Sequence, residues 1–265
     1  MGETERVRQR ALFAEERRLS IYDRVQSEGK VAVENLVDAF GVSAATVRQD
    51  LARLEEQGLV QRTHGGAILR STTLFEPTYA ARQVIRLEEK RAIAAAAATE
   101  VREGDTLLLD AGTTTHELAL ALRRMSALTV VTNSLANALV LMENPNVEVL
   151  LLGGAVHAGR RATLGPLAIQ CLEEVRVDRA FLAFNGVDAT QGFTVVDFEA
   201  AAVKRQMLAR AREAVVLCDS SKVGRVAFAF AAPLTAARLL VTDRGITHAA
   251  RRELEEQGLP VRVAA

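Results

Sequence analysis

The chain has 265 residues, of which 49% are hydrophobic and 25% charged, with 33 basic and 33 acidic side chains. This length predicts two domains, and the apolar content is sufficient for a hydrophobic core. A net charge of zero excludes a general electrostatic attraction to nucleic acid or to a membrane surface, so any DNA binding must come from the local placement of basic side chains.

Signal peptides, membrane helices and metal sites all lack support in the sequence. The first ten residues, MGETERVRQR, are charged and contain no apolar stretch, which argues against a signal peptide. No apolar run approaches the ~20 residues that a membrane helix needs. Cys171 and Cys218 stand far apart and outside any CxxC or CxxH pattern, which argues against a zinc site or disulfide framework. We therefore expect a cytoplasmic protein with reduced thiols, no bound metal and no cofactor.

A charged segment precedes the first amphipathic helix. Residues 1–17 are mostly charged and polar, and we expect them to form a solvated extension. Over residues 18–26, apolar side chains such as Leu19 and Tyr22 recur at helical spacing, which predicts the first helix. A short β-branched segment follows at residues 31–33.

Two more helices and a hairpin complete the N-terminal pattern. Residues 34–40 form one apolar stripe that ends at a glycine, and residues 44–57 form a second. Ser43 is a suitable N-cap for the second helix, because its hydroxyl can accept a backbone N–H. Strand-like segments at 59–62 and 67–69 are separated by Thr-His-Gly-Gly, which predicts a tight hairpin. Together these elements predict a winged helix-turn-helix domain over residues 18–70.

The second helix of this pattern is a candidate reader of DNA. A recognition helix needs an apolar stripe that docks on its domain and an exposed face for the major groove. Arginine can bind guanine and glutamine can bind adenine through two hydrogen bonds, whereas phosphate contacts position the protein without reading sequence. Residues 1–70 contain eleven basic and eleven acidic side chains, so an ordinary solvated surface is the alternative. The candidate base contacts are Ser43, Thr46, Arg48 and Gln49, and the candidate phosphate contacts are Arg53, Arg62 and His64.

The pattern changes after a linker at residues 71–81 and an alanine-rich helix at 82–101. Nearly all-apolar strands then alternate with helices, which predicts a largely parallel sheet covered on both faces. We expect a three-layer α/β domain over residues 82–265. The strands are predicted at 106–109, 128–132, 147–152, 180–183, 214–217 and 239–242, and the helices at 115–123, 135–143, 164–173, 198–212 and 247–257.

Polar residues follow several of these strands and form a candidate ligand site. The segment Asp110-Ala-Gly-Thr-Thr-Thr joins the first strand to a helix, where backbone N–H groups favour an anion such as phosphate. Ligands of open α/β sheets bind beyond the carboxyl ends of the strands, where these segments converge. Ordinary turn chemistry is the alternative for each segment taken alone. The candidates are Asp110, Gly112, Thr113, Thr114, Thr115, Asn133, Gly154 and Asn185, with Lys204 and Lys222 as candidate phosphate partners.

The N-terminal half closely resembles the DNA-binding domain of the DeoR family of sugar-metabolism repressors. The resemblance is carried by Val42-Ser43, by Thr46-Val-Arg-Gln-Asp-Leu51, by Leu54 to Gly58, and by Arg62 to Ala67. Gln49 departs from the family pattern, which usually has a second arginine there. This difference is expected to alter operator preference.

The C-terminal half resembles the sensor domain of the same family, and the resemblance spans about residues 15 to 250. Among its motifs are Asp110 to Thr115, Val131 to Asn133, Leu152 to Gly154 and Asp219 to Lys222. The resemblance implies a fold similar to ribose-5-phosphate isomerase, with a phosphorylated sugar as effector. It implies phosphate held by residues 112–115, and sugar hydroxyls met by Asp110, Asn185, Glu199, Lys204 and Lys222. Asn185-Gly186 in place of Asp-Gly points to a ketose phosphate.

The sequence therefore predicts a repressor of a sugar catabolism operon that a phosphorylated sugar releases from its operator, and not an enzyme. Palindromic half-sites need two recognition helices ~34 Å apart, so a homodimer or homotetramer is expected. One alternative is an enzyme, either a sugar-phosphate isomerase or a related hydrolase, and isomerisation would need Asp188 or Glu199 as the base. Another is an interaction adaptor that has lost DNA binding, for which salt-sensitive DNA binding would be absent.

Overall fold

The computed structural model describes residues 3–69 and 76–265. The chain divides into two compact units, and the boundary falls between Ile85 and Arg86. The five residues 71–75 of the expected linker lie outside the described residues.

The N-terminal unit combines helices with a three-stranded antiparallel sheet of order β1-β3-β2. This arrangement confirms the predicted winged helix-turn-helix. Its elements are α1 (Glu3–Glu28), β1 (Lys30–Ala32), α2 (Val33–Phe40), α3 (Ala44–Glu56), β2 (Val60–Thr63), β3 (Gly66–Leu69) and α4 (Tyr79–Val84).

The first helix is much longer than its apolar pattern predicts. It begins at Glu3, whereas residues 1–17 were expected to form an extension outside the helix. Residues 3–17 are rich in glutamate, arginine, glutamine and alanine, which have high helix propensity without any apolar stripe. The composition of this segment therefore favours a helix through propensity, a signal that the apolar periodicity does not contain.

The core of the N-terminal unit forms where α1, α2 and α3 meet the hairpin. Buried side chains from these elements include Ile21, Leu36, Leu51 and Leu54. The hairpin approaches β1 so closely that a Cβ on Gly66 would lie 1.9 Å from the carbonyl oxygen of Val31. Glycine is therefore the residue that allows β3 to pair with β1.

The predicted helix at 82–101 is wrong, because two helices occupy this region. α4 ends at Val84 and α5 spans Leu87–Ala98. Between them Arg86 adopts a left-handed conformation with φ of 51°. Ala81 and Ile85 belong to the core of the N-terminal unit, so the boundary between the units lies at residue 86 rather than at residue 82.

The C-terminal unit is built on a seven-stranded parallel sheet of order β15-β14-β12-β9-β4-β5-β6. Its strands are β4 (Thr106–Leu109), β5 (Leu128–Thr132), β6 (Val147–Leu151), β9 (Val177–Leu182), β12 (Ala211–Leu217), β14 (Leu239–Thr242) and β15 (Val261–Val263). Its helices after α5 are α6 (Thr113–Leu122), α7 (Leu135–Leu141), α8 (Pro166–Glu173), α9 (Phe198–Arg210) and α10 (His248–Glu256). The predicted parallel sheet is confirmed.

Smaller antiparallel pairings surround the main sheet. They consist of the hairpin β7 (Ala155–His157) with β8 (Ala162–Leu164), and a sheet of β10 (Gly186–Asp188), β11 (Gly192–Val195) and β13 (Ala229–Ala232). The sequence reading missed these strands and β15, because segments of three or four residues are too short to show a periodic pattern.

Two apolar layers sandwich the main sheet. Leu107 and Phe181 face a layer with Ile93 of α5 and Leu118 of α6. Leu108 and neighbouring side chains face the opposite layer, which includes residues of α8 and α9. The three-layer α/β prediction is therefore confirmed.

The strand order creates a switch point between β4 and β9. β5 and β6 extend the sheet on one side of β4, while β9, β12, β14 and β15 extend it on the other. The connections after β4 and β9 therefore diverge, and they leave a crevice at the carboxyl edge, where open α/β sheets bind ligands.

Candidate functional site

The α3 helix presents a polar face to solvent. The Ser43 hydroxyl accepts a hydrogen bond from the Thr46 backbone N–H at 3.2 Å, so Ser43 caps the helix as predicted. Val47 and its neighbours along the stripe are buried, whereas Arg48 and Gln49 are exposed. Both exposed side chains lie in the first turns of the helix, where a recognition helix contacts base edges.

A buried carboxylate fixes α3 against α1. Asp50 is 3% exposed, and its Oδ2 accepts a hydrogen bond from Arg17 Nε at 2.6 Å. Arg18 Nη1 lies 3.6 Å from the other carboxylate oxygen. The sequence reading missed Asp50, although it falls on the same helical stripe as Val47 and Leu54. This ion pair orients the exposed face of α3.

The candidate phosphate contacts lie at the end of α3 and on the hairpin. Arg53, Arg62 and His64 are all exposed. Arg53 pairs with Glu56 at 2.9 Å, and Arg62 Nη1 lies 3.9 Å from Glu55. Exposed pairs of this kind contribute little to stability, so the arginines can exchange these partners for phosphate oxygens.

A buried ion pair occupies the switch point of the sheet. Lys204 of α9 donates a hydrogen bond to Asp110, the residue after β4, and another to the Ala183 carbonyl at 2.8 Å. Ala183 N–H donates to the same Asp110 carboxylate at 3.2 Å. A lysine has three N–H donors, so one remains for a ligand in this arrangement.

Two asparagines hold the segment that follows β4. Asn133 accepts a hydrogen bond from the Ala111 N–H at 2.9 Å and donates to the Thr163 carbonyl at 3.3 Å. Asn137 donates to the Asp110 carbonyl at 3.1 Å. The Asn133 amide was a candidate ligand contact, but these bonds commit it to positioning the turn. Asn137 was missed, since it lies inside a helix.

The N-terminus of α6 offers donors toward the same crevice. α6 begins at Thr113, two residues before the predicted start, and Gly112 precedes it in an extended conformation. Thr115 Oγ1 donates to the Gly112 carbonyl at 3.1 Å. In the described part of the chain, no protein group pairs with the hydroxyls of Thr113 and Thr114. Free N–H groups and hydroxyls at a helix start suit a phosphate group.

The segment after β12 forms a second polar cluster at this edge. Asp219 Oδ1 accepts hydrogen bonds from the Ser221 hydroxyl and from its N–H, the latter at 3.1 Å. Ser220 donates to Asp243 through its N–H at 2.6 Å and through its hydroxyl at 2.9 Å. Burial raises the pKa of Asp219, but the charge of Lys222 and the Ser221 hydrogen bond, with smaller contributions from other cations, lower it by more. The net effect is a pKa below the usual range, which favours the ionised form.

Three other candidates have distinct environments. Gly154 has a φ of 137°, and a Cβ there would lie 2.6 Å from the Leu164 carbonyl oxygen, so this glycine allows close packing. Asn185 is half-buried, and its N–H donates to the Thr194 carbonyl at 3.0 Å. Glu199 is exposed in the first turn of α9.

Asp188 lacks the properties of a catalytic base. Its Oδ1 accepts hydrogen bonds from Thr190 N–H at 2.9 Å and from Gln191 N–H at 2.9 Å, which closes a turn. Burial raises the pKa of Asp188, but these bonds lower it further. A general base works best with a pKa near the operating pH, and this carboxylate is shifted away from it.

An ion pair that the sequence reading missed links the β7–β8 hairpin to α9. Arg160 pairs with Asp197, which also accepts a hydrogen bond from the Ala200 N–H at 2.8 Å and so caps α9. Burial raises the pKa of Asp197, while the Ala200 hydrogen bond and Arg160 lower it further. No spacing in the sequence indicates this contact.

A charged cavity of about 470 Å³ lies at the opposite, amino edge of the sheet. Arg179 and Arg238 both pair there with Glu213, at 3.5 Å and 3.3 Å. Arg262 pairs with Glu100 at 2.6 Å. These charges are satisfied by one another, and the cavity is remote from the switch point.

Metal and membrane features are not found in the described ranges, 3–69 and 76–265. No group of three or more potential metal-ligating side chains comes together among these residues. No helix in these ranges has the length and apolarity that crossing a bilayer requires.

Comparisons with known proteins match both halves of the chain. The DeoR-like helix-turn-helix domain matches residues 17–73, and the DeoR C-terminal sensor domain matches residues 85–244. The HTH-type transcriptional regulator GlpR of Haloferax volcanii is 38% identical over 93% of this chain and 96% of its own length. The HTH-type transcriptional repressor GlcR of Bacillus subtilis is 35% identical over 88% of this chain and 90% of its own length.

Among solved structures, ribose 5-phosphate isomerase A of Methanocaldococcus jannaschii is 19% identical, with a TM-score of 0.38. The match covers 50% of this chain and 52% of that enzyme. A likeness at this level says nothing about ligand or activity. The two family matches occur in the order that the sequence motifs predicted.

Proposed function

Because the chain belongs to the DeoR family of transcriptional regulators and is not an enzyme, we propose that it represses a sugar catabolism operon and that a phosphorylated sugar releases it. The observation that carries this proposal is the pairing of two surfaces in one chain. An exposed polar face on α3 suits DNA, and an anion-receptive helix start lies at the switch point of the sensor sheet. One relative is itself named a repressor.

The DNA contacts divide by the chemistry of each side chain. Arg48 and Gln49 would read base edges, supported by Ser43 and Thr46 at the start of α3. Arg53, Arg62 and His64 would contact phosphates. DNA as partner implies a cytoplasmic location.

The effector contacts follow from the carboxyl edge of the sheet. Residues 112–115 would hold the phosphate through backbone N–H groups and the hydroxyls of Thr113 and Thr114. Sugar hydroxyls would meet Asp110 and the third N–H of Lys204. The remaining proposed contacts are Asn185, Glu199 and Lys222, while Asn133 and Gly154 would contribute by holding the turns around the site.

Release of DNA would work by a shift between two populations. A sugar phosphate that binds the DNA-free arrangement more tightly lowers operator affinity by the same coupling free energy. Two half-sites ~34 Å apart would require two recognition helices, so the proposed active form is a homodimer or homotetramer.

The experiment is a titration of the full chain into labelled DNA from upstream of its own gene, followed by fluorescence anisotropy. Ketohexose, aldohexose, pentose and alditol phosphates are then added in turn. Selective DNA binding that one phosphate reverses supports the proposal and identifies the effector. Absence of DNA binding at low salt contradicts it.

A further inference from the structure

Asp219 connects the carboxyl edge of the sheet to the start of the sensor unit. It is 5% exposed and lies two residues after the end of β12. On one side, the Lys222 N–H donates a hydrogen bond to the Asp219 carbonyl at 3.0 Å, so both residues belong to one tight turn. On the other side, Arg86 Nε lies 3.9 Å from Asp219 Oδ1.

Arg86 occupies a special place in the chain. It is the first residue of the sensor unit, at the break between α4 and α5. Its φ of 51° is a conformation that residues other than glycine rarely adopt, and such conformations persist where the surroundings hold them. A change at its side chain therefore bears on the segment that continues into the DNA-binding unit.

The Arg86 guanidinium is incompletely satisfied in this state. Its Nε is buried and makes no hydrogen bond within the described residues. The separation of 3.9 Å from Asp219 is too long for a hydrogen bond, and Arg86 Nη1 lies 3.7 Å from Glu89. A movement of the turn by about 1 Å would therefore bring Arg86 Nε and Asp219 Oδ1 within hydrogen-bond distance.

We propose that Asp219 and Arg86 act as positioning residues that transmit effector occupancy at Lys222 to the boundary between the two units. This inference rests on the proposed function. An effector phosphate drawn to Lys222 competes with Asp219 for the lysine charge and shifts their shared turn. The Asp219 carboxylate then interacts more strongly with its remaining cationic neighbours. It accepts a hydrogen bond from Arg86 Nε, and this bond shifts the backbone at residue 86.

The charges around Asp219 support this exchange of partners. Burial raises the pKa of Asp219, whereas Lys222, the Ser221 hydrogen bond, Lys90 and Arg86 lower it, in that order. Lys222 is thus the strongest of these cations in the state described. When a ligand claims Lys222, the carboxylate remains ionised and buried, and it needs another cation.

The test measures the coupling between operator DNA and ligand in Arg86→Gln. Arg91→Gln is the matched control, because Arg91 lies on α5, the helix that begins just after Arg86, and pairs with Glu88 and Glu117 instead. The probes are fructose 1-phosphate, fructose 6-phosphate, ribose 5-phosphate and inorganic phosphate. Operator affinity is measured by anisotropy with and without each probe, and probe affinity by calorimetry.

In the wild type and in Arg91→Gln, the active probe is expected to weaken operator binding by about 5- to 150-fold, the usual range of allosteric coupling. In Arg86→Gln that factor falls toward one, while the operator affinity without probe and the probe affinity each stay within about twofold. Arg86→Lys, which keeps the charge, restores part of the factor. A structural defect would instead lower both affinities.

Full coupling in Arg86→Gln would overturn the inference and leave the proposed function intact. A wild-type chain that does not bind operator DNA, or that binds it but responds to no probe, contradicts the proposed function and takes the inference with it. The wild-type measurements therefore separate the two failures.

Discussion

At the scale of single residues, two of the predicted ligand contacts form a buried ion pair with each other. Asp110 and Lys204 were both expected at the carboxyl edge, and the fold brings them into direct contact. Their partnership was not predictable, because 94 positions separate them in the chain. The ion pair between Asp50 and Arg17 was not predictable for the same reason, because 33 positions separate these residues.

Asp110→Asn is expected to lower the free energy of unfolding by about 3 kcal/mol. The substitution leaves Lys204 buried without a compensating carboxylate, and breaking a buried pair is strongly destabilising. Urea unfolding of the sensor unit within the full chain measures this loss. Arg251→Gln, which breaks an exposed pair with Glu255, is the control and should change the free energy by less than about 0.5 kcal/mol. Equal losses in the two variants would refute the buried-pair account.

Arg48→Ala is expected to weaken operator binding by about 1–3 kcal/mol and to leave binding to scrambled DNA nearly unchanged. The reason is that Arg48 is exposed on α3 and forms no ion pair among the described residues. Anisotropy with both DNA sequences measures the difference. Arg24→Gln on α1 serves as control. An equal loss on both DNAs would assign Arg48 to phosphate contact.

At the scale of elements, sequence periodicity located the long pieces of the fold and missed the short ones. β4, β5 and β14 have the predicted bounds, because each is a continuous apolar run inside a covered sheet. The break at Arg86 was missed, since neither glycine nor proline marks it. The β7–β8 hairpin and the sheet containing β13 depend on pairing with distant segments, which local patterns do not encode.

The β2–β3 hairpin of the N-terminal unit contains two adjacent glycines whose replacement by alanine should have different effects on stability. Gly66→Ala is expected to destabilise this unit by at least about 2 kcal/mol, because the new Cβ would clash with the Val31 carbonyl and separate β3 from β1. Gly65→Ala places its Cβ in open space and should be tolerated. Circular dichroism during urea unfolding compares the two. Equal stability would show that the β1–β3 contact yields easily.

At the scale of the whole molecule, ionised carboxylates link stability to pH. Hydrogen bonds from Thr106 lower the pKa of Asp178. Burial also raises the pKa of four other carboxylates, but hydrogen bonds or neighbouring cations lower it by more, so the net pKa is below the usual value. These are Glu100, Asp188, Asp197 and Asp219. Because these groups bind protons more weakly in the folded state, their stabilisation is complete above about pH 5. It declines as the pH falls below about 4 and is gone once the pH is below their lowered pKa values.

We therefore expect the free energy of unfolding to be nearly constant between about pH 7 and pH 5 and to fall steeply below about pH 4. Urea titrations at several pH values measure this dependence. Asp178→Asn should reduce the loss of stability at acidic pH. Glu253→Gln should leave that loss unchanged, because the exposed Glu253 side chain has no such contacts among the described residues. Stability that rises on acidification would contradict these pKa directions.

The central claim is that one chain couples operator DNA to a phosphorylated sugar. Its most direct test is calorimetric titration of the active sugar phosphate into the full-length protein, once free and once saturated with operator DNA. Linkage requires the sugar phosphate to bind more weakly to the DNA-bound protein, by the same factor by which it weakens operator binding. Equal affinity for the free and DNA-bound protein would mean that the two surfaces are independent, and would contradict the account.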